Sequence, residues 1–210
     1  MTLSKEQIKY QVTVRQKLLK LIYPLFRRFN KMINRKAGVQ TNVNNVSPYL
    51  SFYSLKAVLV NGTDFDFSTL KGRKVLLVNV ASDCGYTPQY AELEKLFQSY
   101  KQNLVILAFP ANDFKGQEPG NEKEIDEFCK KNYAVSFSLF QKHSVLEPDQ
   151  HEVFQWLSHK NKNGWNDLPP SWNFCKYLVD ENGRLQYFFA PYISPLSDEI
   201  VKAVNSSPQG

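Results

Sequence analysis

The apolar and polar positions of this chain alternate in a way that predicts strands and helices in turn. Residues 75–80 are apolar except for Asn79, which predicts a buried strand. Residues 104–109 predict a second buried strand in the same way. Between the two, apolar residues recur at helical spacing near 88–101 and predict a helix. A strand–helix–strand unit with parallel strands is therefore expected at the centre of the fold.

The flanking segments predict two hairpins and three more helices. The first hairpin joins 52–60 to 64–67 through Asn61 and Gly62, since Asn-Gly favours the positive φ of such turns. The second hairpin joins 176–179 to 185–189. Helices are expected near 121–131 with Asn121 as N-cap, near 149–160 and near 195–204. This order predicts an α/β protein with a mixed central sheet flanked by helices, of the thioredoxin-like kind.

Residues 1–47 differ in composition from the predicted domain at 48–206. Residues 1–38 hold ten Lys/Arg against Glu6 alone, whereas the rest of the chain holds 16 basic and 19 acidic residues. The positive charge therefore belongs to the N-terminal arm, and the whole chain does not read as a nucleic-acid-binding protein. A polar linker is expected after the arm, at 41–48.

The arm itself predicts a basic amphipathic helix over residues 5–36, kinked or split at Pro24. Every stretch of 18 residues contains Lys or Arg, and no small-residue cleavage site follows the most apolar window, so neither a membrane span nor a signal peptide is expected. Such a helix suits an anionic membrane surface. The alternatives are a helix packed on its own domain or a solvated extension. The apolar stripe is predicted at Ile8, Val12, Leu19, Ile22, Phe26, Phe29 and Ile33, with Arg15 interrupting it.

The cysteine count excludes a disulfide framework. Cys84, Cys129 and Cys175 are few and scattered, no CxxC occurs, and the three His are not at zinc-finger spacing. We therefore expect no metal and no other cofactor. The sparse cysteines and the missing export signal predict a cytoplasmic protein, with a peripheral position at the inner membrane face as the alternative.

Cys84 lies in a turn between the strand at 75–80 and the helix that Pro88 opens. A thiol at this place is close to the positive end of a helix dipole, which favours the reactive thiolate. The alternative is a small buried apolar cysteine at a strand end.

Two further polar segments, 109–120 and 170–174, also contain groups that packing does not require. Loops at the carboxyl ends of strands meet at one edge of such a sheet. Gln117, Trp172 and Asn173 could then surround Cys84 with N–H donors. Taken singly, they could equally be a loop glutamine, a core tryptophan and a turn asparagine.

The segments NVASDCGYTPQY, FPANDFKGQEPG and WNFCKYLVDENG resemble the three signature blocks of the glutathione peroxidase family, over about residues 52–204. The resemblance implies a thioredoxin-like fold and reduction of hydroperoxides to alcohols or water. It implies that Cys84 is the peroxidatic residue, and that Gln117, Trp172 and Asn173 complete the family's catalytic tetrad.

The chain departs from the family pattern at two positions. Asp83 stands before the nucleophile where members often have a non-acidic residue, and its charge would disfavour a thiolate if it faced the sulfur. Because side chains of neighbouring residues in a turn commonly diverge, we expect Asp83 to point to solvent. Ala111 replaces a cysteine that many members carry. Cys129 matches the resolving cysteine of thioredoxin-dependent members, although it could also be a core cysteine of its helix. A disulfide with Cys84 would require local unwinding of that helix.

The resemblance also bears on partners. The loop before Trp172 is short, as in the monomeric branch that uses thioredoxin, while Lys162 and Lys176 could still attract a glutathione carboxylate. We expect a monomeric thiol peroxidase that takes a hydroperoxide and is recycled by thioredoxin or glutathione. Two alternatives remain: a monothiol thiol–disulfide oxidoreductase, from the Cys-x-x-Thr at 84–87, and a membrane-surface redox sensor or scaffold.

Overall fold

A computed structural model describes residues 14–33 and 38–206 of the chain. In chain order its strands are Val39–Thr41 (β1), Lys56–Val58 (β2), Asp64–Asp66 (β3), Lys74–Val80 (β4), Leu104–Pro110 (β5), Ser138–Leu139 (β6), Lys176–Val179 (β7) and Leu185–Phe189 (β8). Six of them form one mixed sheet in the order β1-β8-β7-β4-β5-β6, and β2 pairs with β3 separately. The β4–β5 and β5–β6 pairs are parallel, whereas the others in the large sheet are antiparallel.

The helices are Val14–Ile33 (α1), Gln89–Tyr100 (α2), Glu122–Tyr133 (α3), Glu152–Ser158 (α4), Lys160–Asn163 (α5) and Asp198–Asn205 (α6). Among these described helices, none combines the length and the apolar content needed to cross a bilayer. The predicted central strands, the second hairpin and the helices near 88–101, 121–131 and 195–204 are confirmed. The helix predicted near 149–160 begins later and is followed by the separate α5.

The central strand β4 explains why helices cover both faces of the sheet. All its residues are buried. Leu76 and Val78 belong to one core cluster, whereas Val75 and Leu77 belong to the other. Successive side chains of a strand point to opposite faces, so an unbroken apolar run requires packing on both sides.

The first predicted hairpin is shorter than expected. Residues 52–54 form a 3₁₀ turn instead of strand, and the ladder runs only from Val58 opposite Asp64 to Lys56 opposite Asp66. Gly62 has a φ of 87°, whereas Asn61 is not among the residues with positive φ. The connection is therefore longer than a two-residue Asn-Gly turn, because Leu59 N donates to Thr63 O at 2.8 Å.

The N-terminal region contributes to the sheet, which the sequence did not predict. Strand β1 pairs with β8, Val39 lying opposite Phe189, so Thr41 belongs to an edge strand and not to a linker. The outer strand of a hairpin has unpaired backbone N–H and C=O groups along its free edge, and a short third strand can form hydrogen bonds with them. Pro24 lies inside α1, which is one continuous helix, so of the two predicted outcomes the split is excluded. The predicted helical residues 5–13 and 34–36 lie outside the described residues, and the domain boundary at 48 stays a prediction.

Candidate active site

Cys84 sits in a tightly hydrogen-bonded turn at the carboxyl end of β4, and its side chain is fully buried. Thr87 closes the turn: its Oγ1 accepts from Cys84 N and donates to Ala81 O, both at 2.9 Å. Tyr86 N donates to Cys84 Sγ at 3.4 Å. The backbone therefore holds the sulfur in one place and aims an N–H group at it.

Three distant loops meet at this sulfur. The side chains of Trp172 and Asn173 both act on the Cys84 thiol and lower its pKa. Asn173 Nδ2 also donates to Gln117 Oε1 at 3.0 Å, which joins the third loop to the cluster. The structure thus brings together all four residues that the sequence nominated, Cys84, Gln117, Trp172 and Asn173.

Asn79 positions the loop that carries Trp172 and Asn173. Its Nδ2 donates to Trp172 O at 3.0 Å and its Oδ1 accepts from Cys175 N at 3.0 Å. Its backbone oxygen accepts from Phe174 N at 2.6 Å. The sequence showed Asn79 only as a polar interruption of a buried strand. That interruption was the available signal, because a buried amide must find hydrogen-bond partners.

The backbone is strained beside both donor loops. Phe174 follows Asn173 with a φ of 67°, and Lys115 lies two residues before Gln117 with a φ of 56°. Non-glycine residues rarely adopt this left-handed conformation, and it persists only where surrounding contacts hold it. Phe174 is held by its fully buried ring, which packs edge-on against Tyr90 with the ring centroids 5.5 Å apart. The strained backbone therefore lies next to the residues whose side chains are directed into the Cys84 site.

Burial dominates the electrostatics of the nucleophile. Desolvation raises the pKa of the Cys84 thiol, while hydrogen bonds from Tyr86 N and from the Trp172 and Asn173 side chains oppose that rise. The half-exposed Asp83 adds only a weaker upward effect on this pKa. Burial therefore opposes the thiolate that the helix-dipole argument favours. Pro88 is the N-cap of α2 and not its first residue.

Glu118 is a site residue that the sequence reasoning missed. Its carboxyl group is fully buried, and Ser82 Oγ donates to its Oε1 at 2.6 Å. Burial raises the pKa of Glu118 to about 7. Its Oε2 has no hydrogen-bond partner among the described residues. A carboxyl group whose pKa is near neutral therefore lies directly beside the Gln117 and Cys84 loops.

Cys129 lies in the middle of α3, whose N-terminus has the predicted Asn121 cap as part of a capping box. The side chain is buried, and desolvation raises the pKa of its thiol to about 12. The Tyr90 side chain acts on this pKa in the opposite direction, although its hydroxyl has no hydrogen-bond partner among the described residues. All three cysteines are unpaired. Cys175 is buried with its Sγ 3.6 Å from Ser171 Oγ.

A cavity of about 540 Å³ opens beside Trp172. The indole also contacts Phe114, at 5.5 Å between ring centroids, and Lys115 Nζ, at 5.6 Å from the ring centroid. The cavity is lined mainly by apolar and aromatic residues: Tyr86, Leu168, Pro169, Trp172, Phe188, Ala190, Pro191 and Tyr192, with Gln40 and Ser171.

Within residues 14–33 and 38–206, no group of three His, Cys, Asp or Glu side chains could hold a metal ion.

Comparison with known proteins agrees with this geometry. The family described as "Glutathione peroxidase" matches residues 52–158. A relative from Chlamydomonas reinhardtii, "Glutathione peroxidase-like peroxiredoxin GPX5", is 44% identical over 158 residues, which cover 74% of this chain and 97% of the relative. The chain belongs to the glutathione peroxidase family, as its three sequence blocks indicated.

Solved structures confirm the fold. "Crystal structure of Trgpx in apo form" aligns with a TM-score of 0.58 and 32% identity, covering 75% of this chain and 97% of that one. A "thiol:disulfide interchange protein, thioredoxin family protein" from Chlorobium tepidum aligns with a TM-score of 0.55 and 15% identity, covering 76% and 96% of the two chains. The second match shows the thioredoxin-like fold alone, since its identity is low.

Proposed function

We propose that Cys84 is the peroxidatic nucleophile of this protein, assisted by Gln117, Trp172 and Asn173. The protein is a thiol peroxidase of the glutathione peroxidase family that reduces hydroperoxides to alcohols or water. The observation that carries the residue assignment is one buried sulfur that accepts from Tyr86 N and on which the Trp172 and Asn173 side chains both act to lower the pKa.

The first step converts a thiol and a hydroperoxide into a sulfenic acid and an alcohol. The Cys84 sulfur attacks the distal oxygen of ROOH, the O–O bond breaks, and the proton lost by the thiol ends on the departing RO⁻. Negative charge moves from sulfur to oxygen during this step. The indole and carboxamide N–H groups of Trp172 and Asn173 stabilise that charge in a site from which water is largely excluded.

Cys129 resolves the oxidised enzyme. Its thiol attacks the sulfenic sulfur of Cys84, water leaves, and a disulfide remains. Because Cys129 is buried within α3, that helix must open locally before the two sulfurs can meet. A dithiol reductant of the thioredoxin type then reduces the disulfide, taking up both oxidising equivalents.

The contacts of Lys162 and Lys176, the two lysines considered as glutathione-binding residues, favour the thioredoxin-type reductant. Lys176 is fully buried, and its Nζ donates to Gln89 Oε1 at 2.7 Å and to Phe174 O at 2.8 Å. Lys162 Nζ donates to Gln155 Oε1 at 2.7 Å. The Lys176 ammonium group is therefore bound within the protein interior and cannot bind the carboxylate of glutathione, which corrects its possible role as a glutathione anchor. The monomeric state and the cytoplasmic location stay predictions.

Peroxide consumption by single-cysteine variants tests these assignments. Cys84→Ser should abolish consumption with any reductant, because a hydroxyl cannot replace the thiol. Cys129→Ser should consume one equivalent of peroxide, accumulate a sulfenic acid that dimedone traps, and turn over poorly with thioredoxin. Wild-type protein should turn over faster with thioredoxin and thioredoxin reductase than with glutathione.

Cys175→Ser is the matched control, since it removes a third buried thiol that has no assigned part in the cycle. It should keep wild-type turnover. Undiminished peroxide consumption by Cys84→Ser would refute the nucleophile assignment. Normal thioredoxin-coupled turnover by Cys129→Ser would remove Cys129 from the mechanism, and faster turnover with glutathione would reverse the choice of reductant.

A further inference from the structure

Helix α1 exposes an apolar surface on a protein whose other large apolar side chains are mostly buried. Leu21 and Leu25 are 76% and 71% exposed, and five further apolar residues of this helix are also exposed. At about 100° per residue, these side chains span an arc of about 100° on one side of the helix. We call this surface the α1 stripe: Val14, Leu18, Leu21, Ile22, Leu25, Phe29 and Met32.

The α1 stripe is partly different from the stripe predicted from sequence. Ile22 and Phe29 belong to both. Leu19, which the spacing also placed in the apolar stripe, is half-buried and lies outside the exposed arc. The periodicity located the helix and its amphipathic character, but it could not show which side would meet the domain.

The opposite side of α1 packs against the Cys84 turn. Tyr23 is buried, its hydroxyl donates to Glu92 Oε2 at 3.2 Å, and its ring meets Tyr86 edge-on with the centroids 6.4 Å apart. Gln16 Nε2 donates to Ser82 O at 2.9 Å. On the helix, Tyr23 and Gln16 lie about 180° from the centre of the α1 stripe. The helix is therefore already docked on its domain by one side, and the stripe faces outward.

The charge of α1 has one sign. The segment VRQKLLKLIYPLFRRFNKMI contains six Lys/Arg and no Asp or Glu. Lys17 and Arg28 are exposed and lie along one edge of the α1 stripe. An outward apolar arc bordered by cations is the arrangement of helices that lie in the interface of anionic membranes.

We propose that the α1 stripe docks on the surface of an anionic lipid bilayer, with α1 lying in the plane of the interface. The leucines and Phe29 enter the boundary between headgroups and acyl chains, and Lys17 and Arg28 pair with lipid phosphates. A second copy of the chain fits this surface less well, because two such helices would bring like charges together. Docking would hold the Cys84 turn about one helix diameter, roughly 10 Å, from the lipid.

Vesicle co-sedimentation of the full chain tests the proposal. The protein should pellet with vesicles of phosphatidylcholine and phosphatidylglycerol, should bind phosphatidylcholine alone far more weakly, and should be released by high salt. Leu21→Ser/Leu25→Ser should lower the affinity for anionic vesicles about tenfold or more. Lys17→Glu/Arg28→Glu should lower it by a similar factor and reduce its salt dependence.

Matched controls come from exposed residues of the body. Val43→Ser/Tyr49→Ser removes two equally exposed apolar side chains, and Lys95→Glu/Lys101→Glu makes the same charge change elsewhere. Both should bind like wild type. Because the substituted α1 residues are exposed, peroxide consumption should be unchanged in every variant, and Cys84→Ser should bind vesicles normally, so the result does not depend on the proposed function.

Three results would overturn the proposal. The first is equal binding to neutral and anionic vesicles, or none to either. The second is an equal loss of binding in the α1 variants and in the body controls. The third is a concentration-dependent dimer of the wild-type chain that Leu21→Ser/Leu25→Ser dissolves, which would assign the α1 stripe to a second copy instead of a lipid surface.

Discussion

The Cys84 turn and the segment of α3 around Cys129 bury their sulfurs to the same extent but surround them differently. Cys84 is 0% exposed and Cys129 is 1% exposed. Cys84 Sγ accepts a hydrogen bond from Tyr86 N, and the Trp172 and Asn173 side chains also act to lower the pKa of this thiol. Cys129 lies within a regular helix, where the Tyr90 side chain is the main group that acts to lower its pKa. Burial raises the pKa of both thiols, to about 12 for Cys129, and the donors around Cys84 counteract it more extensively. The extent of burial therefore does not distinguish a nucleophilic cysteine from another buried cysteine, whereas the number of N–H groups directed at the sulfur does.

This contrast has a structural cause. The turn of Cys84 leaves backbone N–H groups without helix or sheet partners, so they can point at a sulfur. The backbone around Cys129 is engaged in the helix, where Cys129 O accepts from Val135 N at 3.3 Å. We infer that Cys84 is prepared for reaction in the resting fold, whereas Cys129 becomes reactive only when α3 opens.

Removing the anchor of the donor loop should produce the largest effect on this comparison. In Asn79→Leu, Trp172 O and Cys175 N lose their partner, so the Trp172 and Asn173 donors move away from Cys84. Loss of aimed donors costs about 10²–10³-fold each in comparable sites, so peroxide attack should slow about 10³-fold. Stopped-flow measurement of the first turnover reports this rate.

Asn42→Leu is the control for that variant. Asn42 is also buried, and its Nδ2 holds Val46 O at 2.9 Å and Leu185 O at 3.1 Å, outside the Cys84 site. It should lose stability while keeping nearly the wild-type rate. Equal rate losses in the two variants would mean that Asn79 acts only through stability.

Glu118→Gln should change the pH dependence of stability. The folded pKa of about 7 lies above the ordinary value of 4.5, so the folded state holds the extra proton between these values. The stability contributed by the protonated group is complete below pH 4.5 and is lost as pH rises through about 7. The loss is about 3 kcal/mol, because each pKa unit corresponds to about 1.4 kcal/mol. Glu118→Gln should therefore become more stable relative to wild type as pH rises through this window.

The measurement is the difference in unfolding free energy between variant and wild type, from urea titrations across the pH range. The difference is needed because His151 also makes the unfolding free energy of both proteins depend on pH. Burial lowers the pKa of His151 to about 4, so its contribution to stability rises with pH, opposite to that of Glu118. A pH-independent difference would show that Glu118 titrates normally in the folded protein.

The raised pKa of Cys84 predicts how the rate of its alkylation depends on pH. The thiolate fraction grows about tenfold per pH unit below the pKa, so alkylation by iodoacetamide should rise about a hundredfold from roughly pH 6 to 8. Mass spectrometry of the labelled peptide separates Cys84 from the other thiols. A plateau already at neutral pH would mean that the donors around Cys84 outweigh its burial.

The smallest expected effect is on the Cys129 side. Tyr90→Phe removes a buried hydroxyl that has no hydrogen-bond partner among the described residues and that acts to lower the Cys129 pKa in the closed helix. Because Cys129 becomes reactive only after α3 opens, formation of the Cys84–Cys129 disulfide should stay within about threefold of the wild-type rate, and peroxide attack on Cys84 should be unchanged. Quench-flow with thiol labelling follows the disulfide directly. Slower peroxide attack in this variant would show that the two cysteine environments are not separable.

Local patterns predicted most of the elements and the chemistry-bearing residues. The apolar run of β4 and the spacing in α2 depend on neighbouring residues, which a sequence displays. Strand β1 was not predicted because three residues carry no periodicity, and the strand is defined by its pairing with β8 across the sheet. Glu118 was not predicted as a site residue because a glutamate in a loop is ordinarily exposed, and only tertiary packing buries it.

By itself, the sequence determined the α/β order of elements, the basic amphipathic arm, and the four residues that meet at the Cys84 turn. Only the tertiary structure decided that Asn79 holds Trp172 from 93 residues away, that burial raises the pKa of Cys84, and that α1 turns its apolar stripe outward. The physical reason is that periodicity and turn chemistry are local. Desolvation, long-range hydrogen bonds and the choice of a packed face depend on which distant groups the folded chain brings together.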